Sequence, residues 1–316
     1  MADTSYLAVE IGGTKLQAAL GTAAGDILAV RRGRADPARG AAAILSWFER
    51  EVPALIEENG ATPAAIGIGF GGPVESASGT VLVSHQVAGW EGFALRPWFE
   101  ERFGCDTIVA NDANAAGWAE YRCGAGRGTR RFAYMNIGSG IGGALVIDGR
   151  LEDGQGRGAG ELGHTYVPDW SASTPGLPVK LEHLCSGWAI EKRLRALPAL
   201  DPESPLGRAC GGNPGALTCA MLGPAAEAGD PVAMAELDHV GFSVGLALSN
   251  LITLFHPGRI ALGGGVSLLG EPLLRPVRGS VTDHVYGPFR QRYEIMPCAL
   301  GESVVLVGAL LLAAGE

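Results

Sequence analysis

The 316-residue chain has no G-x-x-x-x-G-K-[ST] string, which excludes the loop-to-helix phosphate site of P-loop proteins. None of its six cysteines (105, 123, 185, 210, 219, 298) belongs to a C-x-x-C pair. They therefore read as free thiols in a reducing cytoplasm, not as a disulfide framework. Met1-Ala-Asp-Thr-Ser5 lacks the basic and apolar segments of a secretory signal. The most apolar run, Val304 to Ala314, is shorter than the about 20 residues of a membrane span and reads as a buried closing helix. Positive charge is scarce: 24 Lys and Arg stand against 33 Asp and Glu, a formal net charge of -9. That balance argues against nucleic acid or an anionic membrane as the partner. The basic runs Val30–Arg34 and Arg127–Arg131 read as solvated loops. With 18% charged and 47% apolar residues, the chain is a soluble globular protein long enough for two domains.

Glycine is plentiful instead, and it gathers at strand ends. In Leu7 to Leu20 an alternating apolar strand ends at Ile11, turns on Gly12-Gly13-Thr14 and returns as a second strand. Glycines permit the positive φ angles of a tight hairpin and leave backbone N–H groups bare for an anion. Lys15 adds charge beside the turn, and Glu10 stands where a metal ion would sit. The same device recurs in Ala133 to Asp148, with Gly138, Ser139 and Gly140 at the turn. Ile11–Leu20 beside Ile137–Val146 suggests a duplicated unit, its two hairpins gripping a polyphosphate. Gly138-x-Gly140-x-x-Gly143 and Gly67-x-Gly69-x-x-Gly72 fit the dinucleotide fingerprint as strings only. One leads into the strand-like Ala-Leu-Val-Ile and the other into Pro73, whereas that fingerprint must open a helix.

Helical periodicity spans Ala41 to Asn59, and an apolar strand, Ala65 to Phe70, ends at Gly71-Gly72-Pro73. Ligands of α/β proteins bind at such carboxyl ends. A short strand, Thr107 to Ala110, leads to Asn111-Asp112-Ala-Asn114 and an alanine-rich helix. Asn and Asp are preferred N-caps, so Asp112 is either a cap or a general base for a substrate hydroxyl, with Asn111 binding a neighbouring hydroxyl. An ordinary carboxylate suffices as base, because phosphoryl transfer has a loose transition state that loses the hydroxyl proton late. Glu161 and His164, three residues apart among glycines, fall on one face of a helical turn, and Glu182 adds a second acceptor. The Pro/Gly-rich stretches near 168–178 and 201–215 read as loops. Arg259 to Val266 is a buried strand ending in Gly263-Gly264-Gly265, where a flat adenine–ribose unit can lie against bare backbone.

In this order, Ile11–Lys15, Asn111–Glu120, Ile137–His164 and Ile260–Ser267 resemble the ROK family of sugar kinases and repressors, within the actin-like ATPase superfamily. The resemblance covers nearly the whole chain. It implies an α/β, two-domain actin-like (ribonuclease-H-like) ATPase fold with a cleft between domains. Residues 1–115 plus 303–316 would form the first domain and 116–302 the second. It also implies transfer of the ATP γ-phosphoryl group to a hydroxyl of a hexose, glucose or fructose, with Mg2+. Gly12, Gly13, Thr14, Lys15, Gly138, Ser139 and Gly140 would meet phosphate, and Gly263, Gly264 and Gly265 the adenosine. Asp112 would be the base, with Gly72, Asn111, Glu161, His164 and Glu182 around the sugar, in a homodimeric cytoplasmic enzyme. An N-acetylhexosamine kinase, a polyphosphate-using kinase and a catalytically silent binder are the alternatives. Regulators of the family carry a helix-turn-helix ahead of the first hairpin, and here that hairpin begins within the first ten residues. Three features depart from the family. Glu10 stands where Asp is usual, as in relatives resembling fructokinases. Ser139 replaces Thr. Many members bind a structural zinc through the His of the Gly-His pair and a cysteine cluster, but Thr165 to Glu182 has no cysteine, so no structural zinc is expected.

Overall fold

The computed structural model describes residues 4–84, 86–170 and 175–316. The chain opens with three strands, β1 (Ser5–Ile11), β2 (Lys15–Gly21) and β3 (Ile27–Arg34). Helix α1 (Gly40–Asn59) leads to β4 (Pro63–Phe70), which lies parallel to β1. A small ribbon, β5 (Val74–Glu75) with β6 (Thr80–Val81), and helix α2 (Leu95–Phe103) precede β7 (Asp106–Asn111), parallel to β4. Helix α3 (Asp112–Cys123) follows directly. The strand order is β3-β2-β1-β4-β7.

Both faces of this sheet are covered, so β1, expected from its sequence to alternate, is buried at every residue from Leu7 to Ile11. Leu7, Val9 and Ile11 join Ile44 and Phe48 of α1 and Phe99 of α2 in one core. The alternate face presents Ala8 and Ala19 to Leu306, Ala309 and Leu310 of the closing helix, Val304–Ala313. Small side chains on that face let the helix lie close. A Cβ on Gly67 would overlap the Ala309 carbonyl, and one on Gly308 the Ala115 carbonyl.

The second sheet repeats the plan. Strands β8 (Arg131–Ile137), β9 (Ile141–Ile147) and β10 (Arg150–Leu151) follow one another; β11 (Tyr166–Asp169) and β12 (Leu177–Lys180) form a separate ribbon; β13 (Arg259–Gly263) and β14 (Glu294–Pro297) complete the set. The order is β10-β9-β8-β13-β14, with β13 parallel to both β8 and β14. Strand for strand this matches the first sheet, so the repeat read from the two glycine hairpins extends to five strands.

Contacts divide the chain into two compact units: Met1–Arg127, Ala144–Gly160 and Ala299–Glu316, and Gly128–Gly143 with Glu161–Cys298. These bounds differ from 115/116 and 302/303: the first unit also takes in Ala144–Gly160, its last segment begins at 299, where Ala299 N donates to Glu120 Oε1 at 2.9 Å, and its first segment runs past 115 with all of α3. Its Ala115 carbonyl abuts Gly308, and its Trp118 Nε1 donates to the Glu316 carbonyl at 2.9 Å.

In the second unit the longest helix, Pro231–Phe255, packs against Glu271–His284. By length and composition it is apolar enough to cross a membrane, yet 61% of that stretch is buried within the protein, as in a core helix. The loop expected over 168–178 contains instead the antiparallel ribbon β11–β12, in which Pro168 faces Pro178. A two-stranded ribbon has only one ladder, so prolines are accommodated on its open edges. Residues 171–174, part of the Pro168–Val179 stretch expected to reshape the pocket, lie outside the described residues.

Candidate active site

In the first unit the carboxyl ends of three strands are level. Ile11 pairs with Phe70, and Phe70 with Asn111; one step back, Glu10 pairs with Gly69 and Gly69 with Ala110. This register places Glu10, the Gly12–Lys15 turn, the Gly71-Gly72 turn and Asn111-Asp112 side by side. Gly71 N donates to Ile11 O at 2.8 Å, stitching two of these turns together.

The Gly12-Gly13 turn works differently from the expectation. Neither glycine has φ in the left-handed range, so backbone freedom is not why they are there. Space is. Gly12 N donates to Lys15 O at 2.9 Å, and a Cβ on Gly12 would stand 3.2 Å from that oxygen. A Cβ on Gly13 would fall onto the Gln86 side chain, so Gln86 covers the hairpin where any larger residue would go.

Glu10 is nearly buried, with 8% of its surface exposed, so its charge needs partners. Gln17 Nε2 donates to Oε2 at 2.6 Å, and Lys15 Nζ lies 3.2 Å from the same oxygen. Gln17 Oε1 in turn accepts from Arg32 Nε at 3.1 Å, while Lys15 Nζ also donates to Glu302 O at 3.0 Å. The carboxylate is thus fixed from one side, and neither contact engages Oε1. A single carboxylate so presented fits Mg2+, which is usually held by one or two carboxylates together with substrate phosphates and water.

Asn111 is the N-cap of α3: its Oδ1 accepts from Ala113 N and Asn114 N at 2.9 and 3.2 Å. Its Nδ2 donates to Gly72 O at 3.1 Å. Asp112 is the first helical residue, and its Oδ1 accepts from Ala113 N at 2.8 Å. Its Oδ2 would be 3.5 Å from a Cβ on Gly71. Of the two roles open for Asp112 from sequence, the N-cap position belongs to Asn111. Gly72 is glycine for a packing reason, since its Cβ would come within 2.9 Å of Val83 O.

In the second unit, Gly138 N donates to Gly140 O at 2.9 Å, closing the turn between β8 and β9. Glu182 Oε2 accepts from Ile141 N at 3.2 Å and would be 2.8 Å from a Cβ on Gly140. This carboxylate therefore lies against the Gly138-Ser139-Gly140 hairpin. Asn136, at the position of Glu10 in the first copy, has a buried Oδ1 without a hydrogen-bond partner, 3.2 Å from where a Gly138 Cβ would be. Glu161 and His164 bracket a 3₁₀ turn, Leu162–His164, in which residues three apart eclipse one another. Both are exposed. His164 Nδ1 lies 3.1 Å from Lys180 Nζ.

The three glycines after β13 are unlike one another. Gly263 makes room for the Tyr134 hydroxyl and Cys298 Sγ, which would be 2.8 and 2.9 Å from a Cβ. Gly264 has φ +82° and packs on the Ile137 carbonyl. Gly265 alone faces open space. Among the described residues no three His, Cys, Asp or Glu side chains converge on a point where a metal would sit. Cys185 is buried with its thiol toward Val240 O, and burial pushes its pKa up to about 12.

Gln17, Gln86, Asn136 and Lys180 are the residues that sequence reasoning did not single out. Gln17 had a legible signal, being a polar side chain inside the apolar strand Leu16–Leu20, whereas Gln86 reaches its hairpin from a distant loop.

The ROK family sequence model matches residues 6–316. A glucokinase of Streptomyces coelicolor is 32% identical over 97% of this chain and 96% of its own length. A glucokinase of Halalkalibacterium halodurans is 30% identical over 98% of this chain and 94% of its own. The crystal structure of a ROK family glucokinase from Streptomyces griseus, in complex with glucose and AMPPNP, superposes with a TM-score of 0.82 at 31% identity, covering 99% of this chain and 100% of that one. Matched along almost its entire length in both sequence and fold, the chain belongs to the ROK family.

Proposed function

We propose that this protein is an ATP-dependent hexose kinase acting on glucose, with Asp112 as the general base. The observation that carries this reading is the level row of strand ends in the first unit. It sets a phosphate-sized glycine turn, a fixed carboxylate and a helix-start Asp-Asn pair next to one another. Phosphoryl transfer asks for little else from a protein beyond positioning and charge. The glucokinase relatives supply the choice of donor and sugar.

In this reading Asp112 accepts the proton of the attacking hydroxyl, and Asn111, Gly72, Glu161, His164 and Glu182 bind the other sugar hydroxyls. The Gly12-Gly13-Thr14 turn, through the N–H groups of Gly13 and Thr14, the Lys15 ammonium and the Gly138-Ser139-Gly140 turn bind phosphate. Gly263 to Gly265 border the adenosine, with Gly265 the one open to it. Glu10 would hold Mg2+, which when bound neutralises charge on the phosphate oxygens. A homodimer is supported by Leu254, Phe255 and Tyr286, exposed apolar residues of the second unit, and a cytoplasmic location by cysteines that form no disulfide among the described residues.

The test is sugar-dependent ADP release from Mg-ATP across a panel of hexoses and N-acetylhexosamines, with polyphosphate as an alternative donor. Glucose is expected to give the highest turnover, and Asp112→Ala to lower it by roughly 10²- to 10⁴-fold. ATP binding without turnover on any sugar would leave a silent binder and reject the proposal.

A further inference from the structure

His164 closes the 3₁₀ turn Leu162–His164, and its Nδ1 meets the ammonium of Lys180 at 3.1 Å. An ammonium carries three donors and no acceptor, so Nδ1 must offer its lone pair. An imidazole that accepts at Nδ1 is neutral and carries its proton on Nε2. We propose that Lys180 is a positioning residue of the sugar site, holding His164 as the Nε2–H tautomer so that it donates to a sugar oxygen. The inference rests on the reading of His164 as a sugar contact.

The pairing follows from the ribbon and not from a chance meeting of two long side chains. In the β11–β12 register Tyr166 stands opposite Lys180, and Leu181 N donates to Thr165 O at 2.9 Å, continuing the pairing toward His164. Lys180 is extended, with φ -61° and ψ 136°, and occupies the N-cap position of the short helix Leu181–Cys185 without a side-chain capping bond, which leaves its ammonium to His164. Leu181 is fully buried, which anchors the segment. One residue further, Glu182 accepts from Ile141 N at the glycine hairpin. The stretch Lys180-Leu181-Glu182 thus carries three tasks in order: an ammonium on the histidine, an apolar anchor, and a carboxylate on the phosphate-side turn.

The choice of lysine is also informative. Only Lys15, Lys180 and Lys192 are lysines, against 21 arginines. A guanidinium presents a planar fork suited to two oxygens, whereas an ammonium is a compact point donor matched to one nitrogen lone pair. Two of the three lysines stand within the residues assigned to ligand binding or beside them.

The test combines spectroscopy with kinetics on the intact protein. Nitrogen-15 histidine spectra of wild type, Lys180→Met and Lys180→Arg, at a pH where the ring is neutral, read the His164 tautomer without any sugar. Wild type should show Nε2 protonated and Nδ1 bare, and Lys180→Met should move both signals toward the average of the two tautomers. With glucose, Lys180→Met should raise KM about tenfold while kcat stays within about twofold, as expected for a lost uniform binding contact. Lys180→Arg, which still donates but from a planar fork, should restore the tautomer and the KM only in part. A protonated Nδ1 in wild type, or His164 signals unchanged in Lys180→Met, overturns the proposal. A changed tautomer with unchanged KM overturns the sugar-site role while leaving the kinase reading intact. Wild type that holds the tautomer but turns over no sugar strikes the kinase reading and leaves the Lys180–His164 pairing standing.

Discussion

Asn111 uses both ends of its amide, and two substitutions separate them. Its Oδ1 caps α3 through two backbone N–H groups, and its Nδ2 holds the Gly72 carbonyl at 3.1 Å. Removing both in Asn111→Ala loses a cap, at about 1 kcal/mol, and a partly buried hydrogen bond, at about another 1 kcal/mol. A loss of about 2 kcal/mol lowers the melting temperature by roughly 5 °C for a unit of this size. In Asn111→Asp the carboxylate still accepts from Ala113 and Asn114, and a negative charge at a helix start is favourable. The donor to Gly72 is gone, however, and two oxygens face each other. Asn111→Asp should therefore lose less stability than Asn111→Ala does. Its glucose-dependent ADP release should nevertheless fall by about 10- to 100-fold, because the turn beside Asp112 and the donor to the sugar are both disturbed. Thermal unfolding followed by a coupled ADP assay reads both quantities on one preparation. An Asn111→Asp protein as unstable as Asn111→Ala would refute the assignment of the cap to Oδ1. Full turnover in Asn111→Asp would refute the role given to Nδ2.

Glu10→Gln should reduce turnover by about 10- to 100-fold in the ADP assay, with Mg2+ dependence shifted to higher concentration; unchanged turnover would remove Glu10 from the metal's side of the site. Asp230 caps the helix Pro231–Phe255; burial pushes its carboxyl up, but the backbone N–H groups of Ala233, Leu206 and Val232 outweigh that and hold it below the usual carboxylate range. A group depressed in the folded state adds stability that is complete above the unfolded value of about 3.9 and is lost as pH falls through the folded value. Asp230→Asn should accordingly cost about 1–2 kcal/mol in urea unfolding at pH 7 and progressively less below pH 4; a cost that does not vary with pH would contradict the assignment. Burial also pushes the Cys185 thiol up to about 12 and Cys219 up to about 11. Iodoacetamide at pH 8 should leave both unmodified in the native protein and label them after denaturation, as peptide mass spectrometry would show, because only about one Cys185 in 10⁴ is then thiolate.

Local features of the fold were legible where chemistry and periodicity agree. The glycine hairpins, α1, the strand into Asn111 and the apolar closing helix all follow from apolar spacing with turn or cap residues at its ends. What sequence could not show is which atom does which task. Asn and Asp are both good caps, and only the register of β4 against β7 places the Asn111 amide against Gly72. The Gly12-Gly13 pair is written with the letters of a positive-φ turn but is kept small by the Lys15 carbonyl at Gly12 and by Gln86 at Gly13, the latter a contact with a distant segment that no local pattern encodes. Prolines 168 and 178 suggested a loop, since Pro breaks central strands, and a free-standing ribbon escapes that rule.

The closing helix has a consequence for how the protein comes into being. The first unit is assembled from segments far apart in the chain: Ala8 and Ala19, translated early, pack on Leu306, Ala309 and Leu310, translated nearly 300 residues later. While a ribosome makes the intervening residues, β1 and β2 lack the closing helix on that face, where α3 reaches β4, and the small side chains that admit the helix leave little apolar bulk to shield the strands in the meantime. The second unit, bounded by residue 298, has all its own sequence first. Nascent chains should thus acquire protease resistance in the later-encoded half before the earlier-encoded one, reversing the usual amino-to-carboxyl order of domain folding.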